Sequence, residues 1–183
     1  MEDRTQAMEL DEAKEKFIQS WGALGSGWGI NRTMAQVHAL LLIAPESLSA
    51  EDIMEALNIS RGNANMNLRA LIDWGLVVKV NQLGERKEFF VAEKDIWRVA
   101  IQVIVERRKR ELQPVRRVLE ELHTLQGDRN DPHVQQFMET IESLDAVVKQ
   151  ADALLQIIIS ADKSWIASTL LNMFAKGTKN EQG

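Results

Sequence analysis

Basic side chains and asparagines are the residues of this sequence that best suit a binding function, and they concentrate in residues 60–90. This segment holds five Lys or Arg against three Asp or Glu. Arginine and asparagine can bind guanine and adenine edges, and basic side chains bind phosphate. The pattern therefore favours nucleic-acid binding. The candidate contact residues are Ser60, Arg61, Asn63, Asn65, Asn67, Arg69, Lys79, Arg86 and Lys87.

The overall charge, taken alone, argues the other way. The chain has a formal net charge of -5, which does not favour contact with phosphate. However, residues 98–117 hold seven bases and two acids, whereas residues 118–162 hold nine acids and two bases. The basic cluster at 107–117 could contact DNA, pair with the acidic segment after it or face water. Ion pairing or solvation is the favoured interpretation.

Other chemistries have little support in this sequence. With no cysteine, thiolate metal sites, cysteine nucleophiles and disulfides are excluded. The three histidines, His38, His123 and His133, lack metal-ligand spacing, and His38 is expected to be a partly buried imidazole with its hydrogen bonds satisfied. We find no glycine-rich phosphate loop, nucleophile elbow or acid–base pair. We therefore expect no enzyme activity, no metal and no cofactor.

Length and composition are typical of a soluble, helix-rich protein. The 183 residues suffice for one compact domain or a small domain with a helical extension. No apolar run is long enough to cross a bilayer, and the acidic start lacks the layout of a signal peptide. These features predict a cytoplasmic protein without membrane contact.

Two helices are predicted before the basic segment, the first amphipathic and the second mostly apolar and therefore largely buried. Apolar residues recur at helical intervals over residues 5–24, and the second pattern covers residues 33–43 before Pro45. A group of glycines is expected to end the first helix: Gly22, Gly25, Gly27 and Gly29.

Two further short helices have clear N-terminal caps. Ser49 precedes two acidic residues and can cap a helix through Leu57, while Ser60 can cap a helix that runs to Trp74. Gly75 stands where a left-handed cap usually ends a helix. The predicted inner face of the last helix consists of Ala64, Leu68, Leu71 and Ile72, with Asn67 near the exposed border.

A hairpin follows these helices directly. Residues 76–80 and 87–92 are predicted strands, joined by a polar turn that contains Gly84. Helices followed by such a hairpin define a winged helix-turn-helix, in which the helix after the tight turn enters the major groove. The predicted fold class is mainly α, with a short β-hairpin wing and with N- and C-terminal helices that form a dimerisation region.

The rest of the chain is predicted to be helical, over residues 95–125, 133–159 and 164–174. The expected domains are an N-terminal helix (1–30), the winged helix-turn-helix (31–94), a helical linker and dimerisation region (95–176) and a frayed tail (177–183). Apolar side chains at both ends exceed what the terminal arms alone can bury, which favours a dimer over an intramolecular bundle. They are Phe17, Ile18, Trp21, Val147, Leu154, Leu155, Ile157, Ile158, Trp165, Leu170, Leu171 and Phe174.

Residues 48–100 resemble a known family. The motifs are SRGN at 60–63, NLR at 67–69, WG at 74–75, GERK at 84–87 and AEKDIW at 92–97. This segment is similar to the MarR-type winged-helix regulators, and most closely to their GbsR branch. The resemblance implies a transcriptional regulator, either a repressor or an activator with repression favoured, that acts as a homodimer on a roughly palindromic DNA duplex.

Two alternatives remain open at this stage. A winged helix can also serve as a protein–protein interaction module, although bases at both helix and wing favour DNA. The resembled branch also includes regulators linked to choline and glycine betaine, and aromatic cages bind quaternary ammonium groups. The cage hypothesis would use Trp21, Trp28, Trp97 and Trp165 for a small-molecule effector, whereas packing is the commoner role of such tryptophans.

Overall fold

The computed structural model describes residues 9–27, 29–125 and 130–161, and the chain divides into two compact units. Unit 1 is Met1–Val99 and unit 2 is Ala100–Gly183. The predicted helix over 164–174 and the predicted frayed tail lie outside the described residues. Among the described residues, no helix has the length and apolar character that crossing a membrane requires.

Unit 1 contains helices and one small sheet. Its elements in chain order are α1 (Leu10–Gly27), α2 (Arg32–Ile43), β1 (Leu48–Ser49), α3 (Ala50–Leu57), α4 (Arg61–Asp73), β2 (Val77–Val80) and β3 (Phe89–Ala92). The helix α5 (Ile96–Arg107) spans the boundary between the units. The mainly α fold with a winged hairpin is confirmed.

Local capping sets the start of α3 and α4, as the sequence predicts. The Ser49 hydroxyl accepts a hydrogen bond from the Asp52 amide, and the Asp52 carboxylate accepts one from the Ser49 amide, forming a capping box. The Ser49 amide and, with a smaller effect, the Ser49 hydroxyl both donate to the Asp52 carboxylate and lower its pKa. The Ser60 hydroxyl accepts from the Asn63 amide at the start of α4, and Gly75 follows the helix with a φ of 70°.

The expectation that glycines end α1 is wrong for Gly22 and Gly25. Both are buried inside α1, which continues to Gly27 and packs against α2. A Cβ at Gly25 would lie only 2.6 Å from the Cβ of Ala35 on α2. These glycines therefore allow close helix packing, and the turn itself falls at Gly29, where φ is 73°.

The sheet has three strands in the order β1-β3-β2, all antiparallel. The hairpin is confirmed, with strands slightly shorter than expected, but sequence patterns missed β1. This strand pairs Leu48 with Phe90 and Ser49 with Phe89. Because Ser49 also caps α3, the pairing attaches the base of the wing directly to the start of that helix.

The core of unit 1 lies beneath the wing and the inner face of α4. The predicted inner positions Ala64, Leu68 and Leu71 are buried, while Ile72 is only half-buried. Burying such aliphatic side chains is the main favourable contribution to folding. They pack with buried residues of α2, α3 and the strands, which include Val37, Leu41, Ile53, Leu76, Val77 and Phe90.

Lys94, just after β3, links the wing to the end of α2. Its ammonium group donates hydrogen bonds of 2.8 Å to the carbonyl oxygens of Leu41, Leu42 and Ala44. The last carbonyls of a helix lack partners within the helix, and a cation there is favourable. Burial lowers the pKa of Lys94.

Unit 2 contains the continuation of α5, a π-helical segment (Arg108–Leu112), α6 (Gln113–Leu122) and α7 (Pro132–Ser160). The predicted helix over 95–125 is thus present, but with an unforeseen π turn. Pro114 lacks an amide hydrogen, so the carbonyl of Arg110 four residues earlier has no α-helical donor at that point. This explains why the π segment lies directly before it.

The π turn changes which residues share a face of the helix. Positions eight apart differ by about 80° around an uninterrupted α-helix. One extra residue in the turn makes them equivalent to positions seven apart, which differ by about 20°. Arg108 and Arg116 consequently both reach Asp152 of α7.

Candidate nucleic-acid interface

The outer face of α4 is the part of unit 1 that a DNA groove would meet. The helix begins at Arg61 after the left-handed turn at Asn58, where φ is 51°. Gly62 and Arg69 are exposed, Asn65 is half-buried, and the exposed cap Ser60 stands at the start. A Cβ built at Gly62 meets no atom within 4 Å, which leaves open space on that side.

Met66 is a surface residue of α4 that the sequence analysis did not count among the contacts. It is 58% exposed in the middle of α4. An apolar side chain at this place can contact the methyl group of thymine. The signal available in the sequence was its position, one turn after Gly62 and three residues before Arg69 on the same face.

Two of the candidate bases of this surface already have acidic partners. The Arg61 guanidinium donates to Oε1 of Glu51 on α3 at 2.9 Å, and the Lys79 ammonium donates to Oε1 of Glu88 across the hairpin at 2.8 Å. Both pairs are largely exposed, so they are weak and exchangeable with solvent. By contrast, no ion pair with another described residue is recorded for Arg69.

Asn67 lies in a different environment from the one expected. It is only 3% exposed, so its expected position near the solvent border of α4 is wrong. Its amide nitrogen donates to the backbone oxygen of Asn63 at 2.9 Å and to Oδ1 of the same residue at 2.7 Å. Asn63 itself is partly exposed, and Asn67 therefore supports the surface from within.

The wing presents its tip to solvent. All residues from 81 to 88 are exposed, including Arg86 and Lys87. Gly84 makes the turn with a φ of 88°, a conformation that glycine adopts without strain. Lys87 contributes a small lowering of the pKa of Asp52, which places its charge near the start of α3. The tip therefore carries the two adjacent bases that the sequence predicted there.

The second basic cluster belongs to unit 2 and is largely paired. Arg108 and Arg116 bind Asp152, with an Arg116 to Asp152 distance of 2.9 Å. Arg107 pairs with Glu111, while Lys109 and Arg110 both pair with Glu106. The favoured interpretation of this cluster, ion pairing that includes the acidic segment after it, is confirmed for these residues.

The aromatic side chains show packing contacts. Trp21 is half-buried, with its ring centroid 5.4 Å from that of Phe17 and 6.3 Å from that of His38. Trp97 is half-buried near the start of α5. Trp28 and Trp165 lie outside the described residues. Two open cavities of about 400 Å³ in the described part of unit 2 have no tryptophan in their linings.

His38 is buried, as expected, but it is not fully bonded. Its Nε2 has no hydrogen-bond partner among the described residues, which corrects the expectation of a satisfied imidazole. Burial, with a smaller contribution from the charge of Lys94, lowers the pKa of His38 to about 4. The imidazole is therefore neutral at physiological pH. No cluster of metal-ligating side chains occurs among the residues that the structure describes.

Comparison with known proteins agrees with this geometry. Residues 28–87 match the model of the MarR family. The HTH-type transcriptional repressor GbsR of Bacillus subtilis (strain 168) is 24% identical over 113 residues, which cover 62% of this chain and 62% of that repressor's length. A solved structure described as a transcriptional regulator superposes with a TM-score of 0.54 at 19% identity, covering 76% of this chain and 95% of that one.

The fold and the exposed helix-and-wing surface thus define a winged helix-turn-helix. The match to the MarR family model spans α2, α3, α4 and the hairpin up to its basic tip. Within that class, the chain is similar to the repressor GbsR.

Proposed function

We propose that this protein is a transcriptional repressor that binds a roughly palindromic DNA duplex as a homodimer. The observation that carries the proposal is that basic side chains are exposed in two places. Arg69 lies on the outer face of α4, and Arg86 and Lys87 lie at the wing tip. Contact with two neighbouring segments of the DNA backbone requires basic side chains on both the helix and the wing. The similarity to GbsR supports repression as the sign of regulation.

In the proposed complex, α4 enters the major groove. Open space beside Gly62 lets the start of the helix approach the base pairs, Met66 contacts a thymine methyl group, and Arg69 binds a phosphate or a base edge. Arg86 and Lys87 of the wing reach the backbone or the minor groove. Their contribution is mainly affinity that falls with salt, with little sequence information.

A second candidate function is a protein-interaction module. Two exposed apolar side chains, Met66 on α4 and Leu83 on the wing, favour it, because apolar groups on a surface also suit protein partners. This module would not need unpaired bases at both α4 and the wing. Control by an aromatic-caged effector stays a prediction, and the packing of Trp21 against Phe17 and His38 weighs against it.

The test is DNA binding measured by fluorescence anisotropy with a duplex pool at two salt concentrations. We expect binding that weakens with salt, and we expect the double variant Arg69→Ala, Arg86→Ala to lose about tenfold or more in affinity. Its salt slope should fall by about 2 to 4, because each phosphate contact removed lowers the slope by about one and the homodimer carries both arginines twice. The matched control is Lys14→Ala, Lys16→Ala, which removes the same charge from α1.

A control variant that binds as weakly as the Arg69→Ala, Arg86→Ala protein would show that only total charge matters. A folded wild-type protein that binds no duplex at low salt would refute the proposal and favour the interaction module. In that case, the exposed Met66 and Leu83 become the first positions to probe for protein contact.

A further inference from the structure

The contact between Asn63 and Asn67 on α4 has a consequence for base recognition. A single amide nitrogen, Nδ2 of Asn67, donates one hydrogen bond to the backbone oxygen of Asn63 and another to its side-chain oxygen. The two distances are 2.9 Å and 2.7 Å. Both hydrogens of that amide are thereby used, and the donor group is almost fully buried.

Hydrogen-bond chemistry fixes the orientation of both carboxamides. A backbone carbonyl oxygen can only accept, so the Asn67 atom that faces it must be the nitrogen. The Asn63 atom that faces the same nitrogen must then be an acceptor, which is its Oδ1. The oxygen of Asn63 is therefore turned toward a buried group, and its NH₂ group is the end available to a ligand.

Asn63 is also well placed to meet a base. It is the third residue of α4, its backbone amide is bonded to the Ser60 cap, and its side chain is partly exposed. Gly62 beside it leaves open space for close approach. The first turn of a recognition helix is the part that contacts base edges.

We propose that Asn67 is a positioning residue that holds Asn63 as a hydrogen-bond donor, so that Asn63 selects guanine over adenine. This inference rests on the proposed DNA binding and deepens it. An unrestrained asparagine pairs with adenine because it presents both an acceptor and a donor. An asparagine restricted to its NH₂ group fits the N7 and O6 acceptors of guanine, whereas the N6 amino group of adenine opposes it.

The experiment is selection of bound sequences from a randomised duplex pool, followed by affinity measurement on single-base variants of the selected site. The key variant is Asn63→Asp. Its carboxylate can still accept from Asn67, but its free end now accepts where the NH₂ group donated. A carboxylate accepts from the N4 amino group of cytosine, so one position of each half-site should change from G·C to C·G.

For the wild-type protein, we expect guanine at that position to bind about tenfold more tightly than adenine. Asn67→Leu removes the buried amide while keeping a similar volume, and it should abolish this discrimination with little loss of affinity for the pool. Asp73→Ala, at an exposed position at the end of the same helix, is the control and should keep the preference for guanine. Thermal unfolding verifies that each variant is folded.

Wild-type preference for adenine at the position that Asn63→Asp changes would overturn the inference and leave the proposed function intact. An unaltered guanine preference in folded Asn67→Leu would overturn it as well, because Asn63 would then not depend on its buried neighbour. Wild-type protein that binds no duplex would overturn the proposed function itself, which the anisotropy measurement detects separately.

Discussion

Asp152 of α7 is held by two arginines from the neighbouring helical segment. Its side chain is only 13% exposed, and it accepts hydrogen bonds from both Arg108 and Arg116. The Arg108 hydrogen bond is the main reason that the pKa of Asp152 lies below its usual value of 3.8. At the level of single residues, this is a carboxylate whose charged form stabilises unit 2.

We predict that Asp152→Asn lowers the free energy of unfolding by about 1–3 kcal/mol at neutral pH, because the partly buried Arg108 loses its acidic partner and Arg116 loses the nearer of two. A carboxylate with a depressed pKa in the folded state contributes stability above its unfolded pKa. This contribution is lost as pH falls through the folded pKa. The difference between wild type and variant should therefore shrink below about pH 3.8.

Urea denaturation over this pH range provides the measurement. The control is Glu120→Gln, which removes a more exposed partner of Arg116 at 3.4 Å and should change stability little. Equal losses of unfolding free energy in the two variants at neutral pH would contradict the argument that burial makes the ion pairs of Asp152 the stronger ones. A difference that stays constant down to low pH would contradict the role of the Asp152 charge.

The packing of α1 against α2 is the contact between elements that depends most on a single small residue. Gly25 is buried within α1, and a Cβ there would meet the Cβ of Ala35, which belongs to the first turn of α2. Neither atom is the flexible end of a side chain, so the helices themselves would have to move. Gly22 differs, because its near neighbour is the flexible side chain of Gln36.

We predict opposite effects from two matched substitutions in α1. Gly25→Ala should destabilise the protein by about 1–3 kcal/mol through overpacking, although alanine favours helix formation. Gly27→Ala places its Cβ where no atom lies within 4 Å. This second change should be neutral or stabilising by up to about 1 kcal/mol. Thermal or chemical unfolding of the two variants tests this, and a stabilising Gly25→Ala would refute the packing argument.

At the scale of the whole molecule, α7 carries an apolar face that the described residues leave uncovered. Phe137 and Leu144 are seven residues apart, as are Val147 and Leu154, a heptad spacing typical of helices that pair with another helix. Val147 and Leu154 are 64% and 62% exposed. Ile18 of α1, by contrast, is buried, and its contribution is to the core. The proposed homodimer therefore uses α7 as a principal contact.

We predict that Val147→Glu, Leu154→Glu converts the dimer to a monomer and weakens binding to a palindromic duplex, since one winged helix then meets only a half-site. Sedimentation equilibrium reports the mass, and anisotropy reports DNA binding. The control is Ala153→Glu, Gln156→Glu, which adds the same charge to exposed positions of α7 on the side away from that face. A double variant that remains dimeric would exclude this face as the interface.

Much of unit 1 could be predicted because the signals are local. Ser49 and Ser60 cap helices through residues three positions away, and Gly75 supplies a left-handed conformation that its own backbone permits. Short runs of β-branched and other apolar residues on either side of a polar turn predicted both strands of the wing. The exposure of Arg69, Arg86 and Lys87 could be predicted from the same local patterns. Arg69 lies on the helix face that the buried positions leave to solvent, and Arg86 and Lys87 lie at the tip of the hairpin.

Tertiary contacts decided what local patterns left open. Gly25 reads as a helix end in sequence, but the approach of Ala35 makes it a buried packing position. The strand β1 exists because Phe89 and Phe90 pair with residues 40 or more positions earlier. Asn67 looks like a surface amide, yet its burial turns it toward Asn63. In each case, the environment of the residue depends on a residue distant in sequence or on the packing around its helix. The spacing of residues in the sequence does not show these contacts.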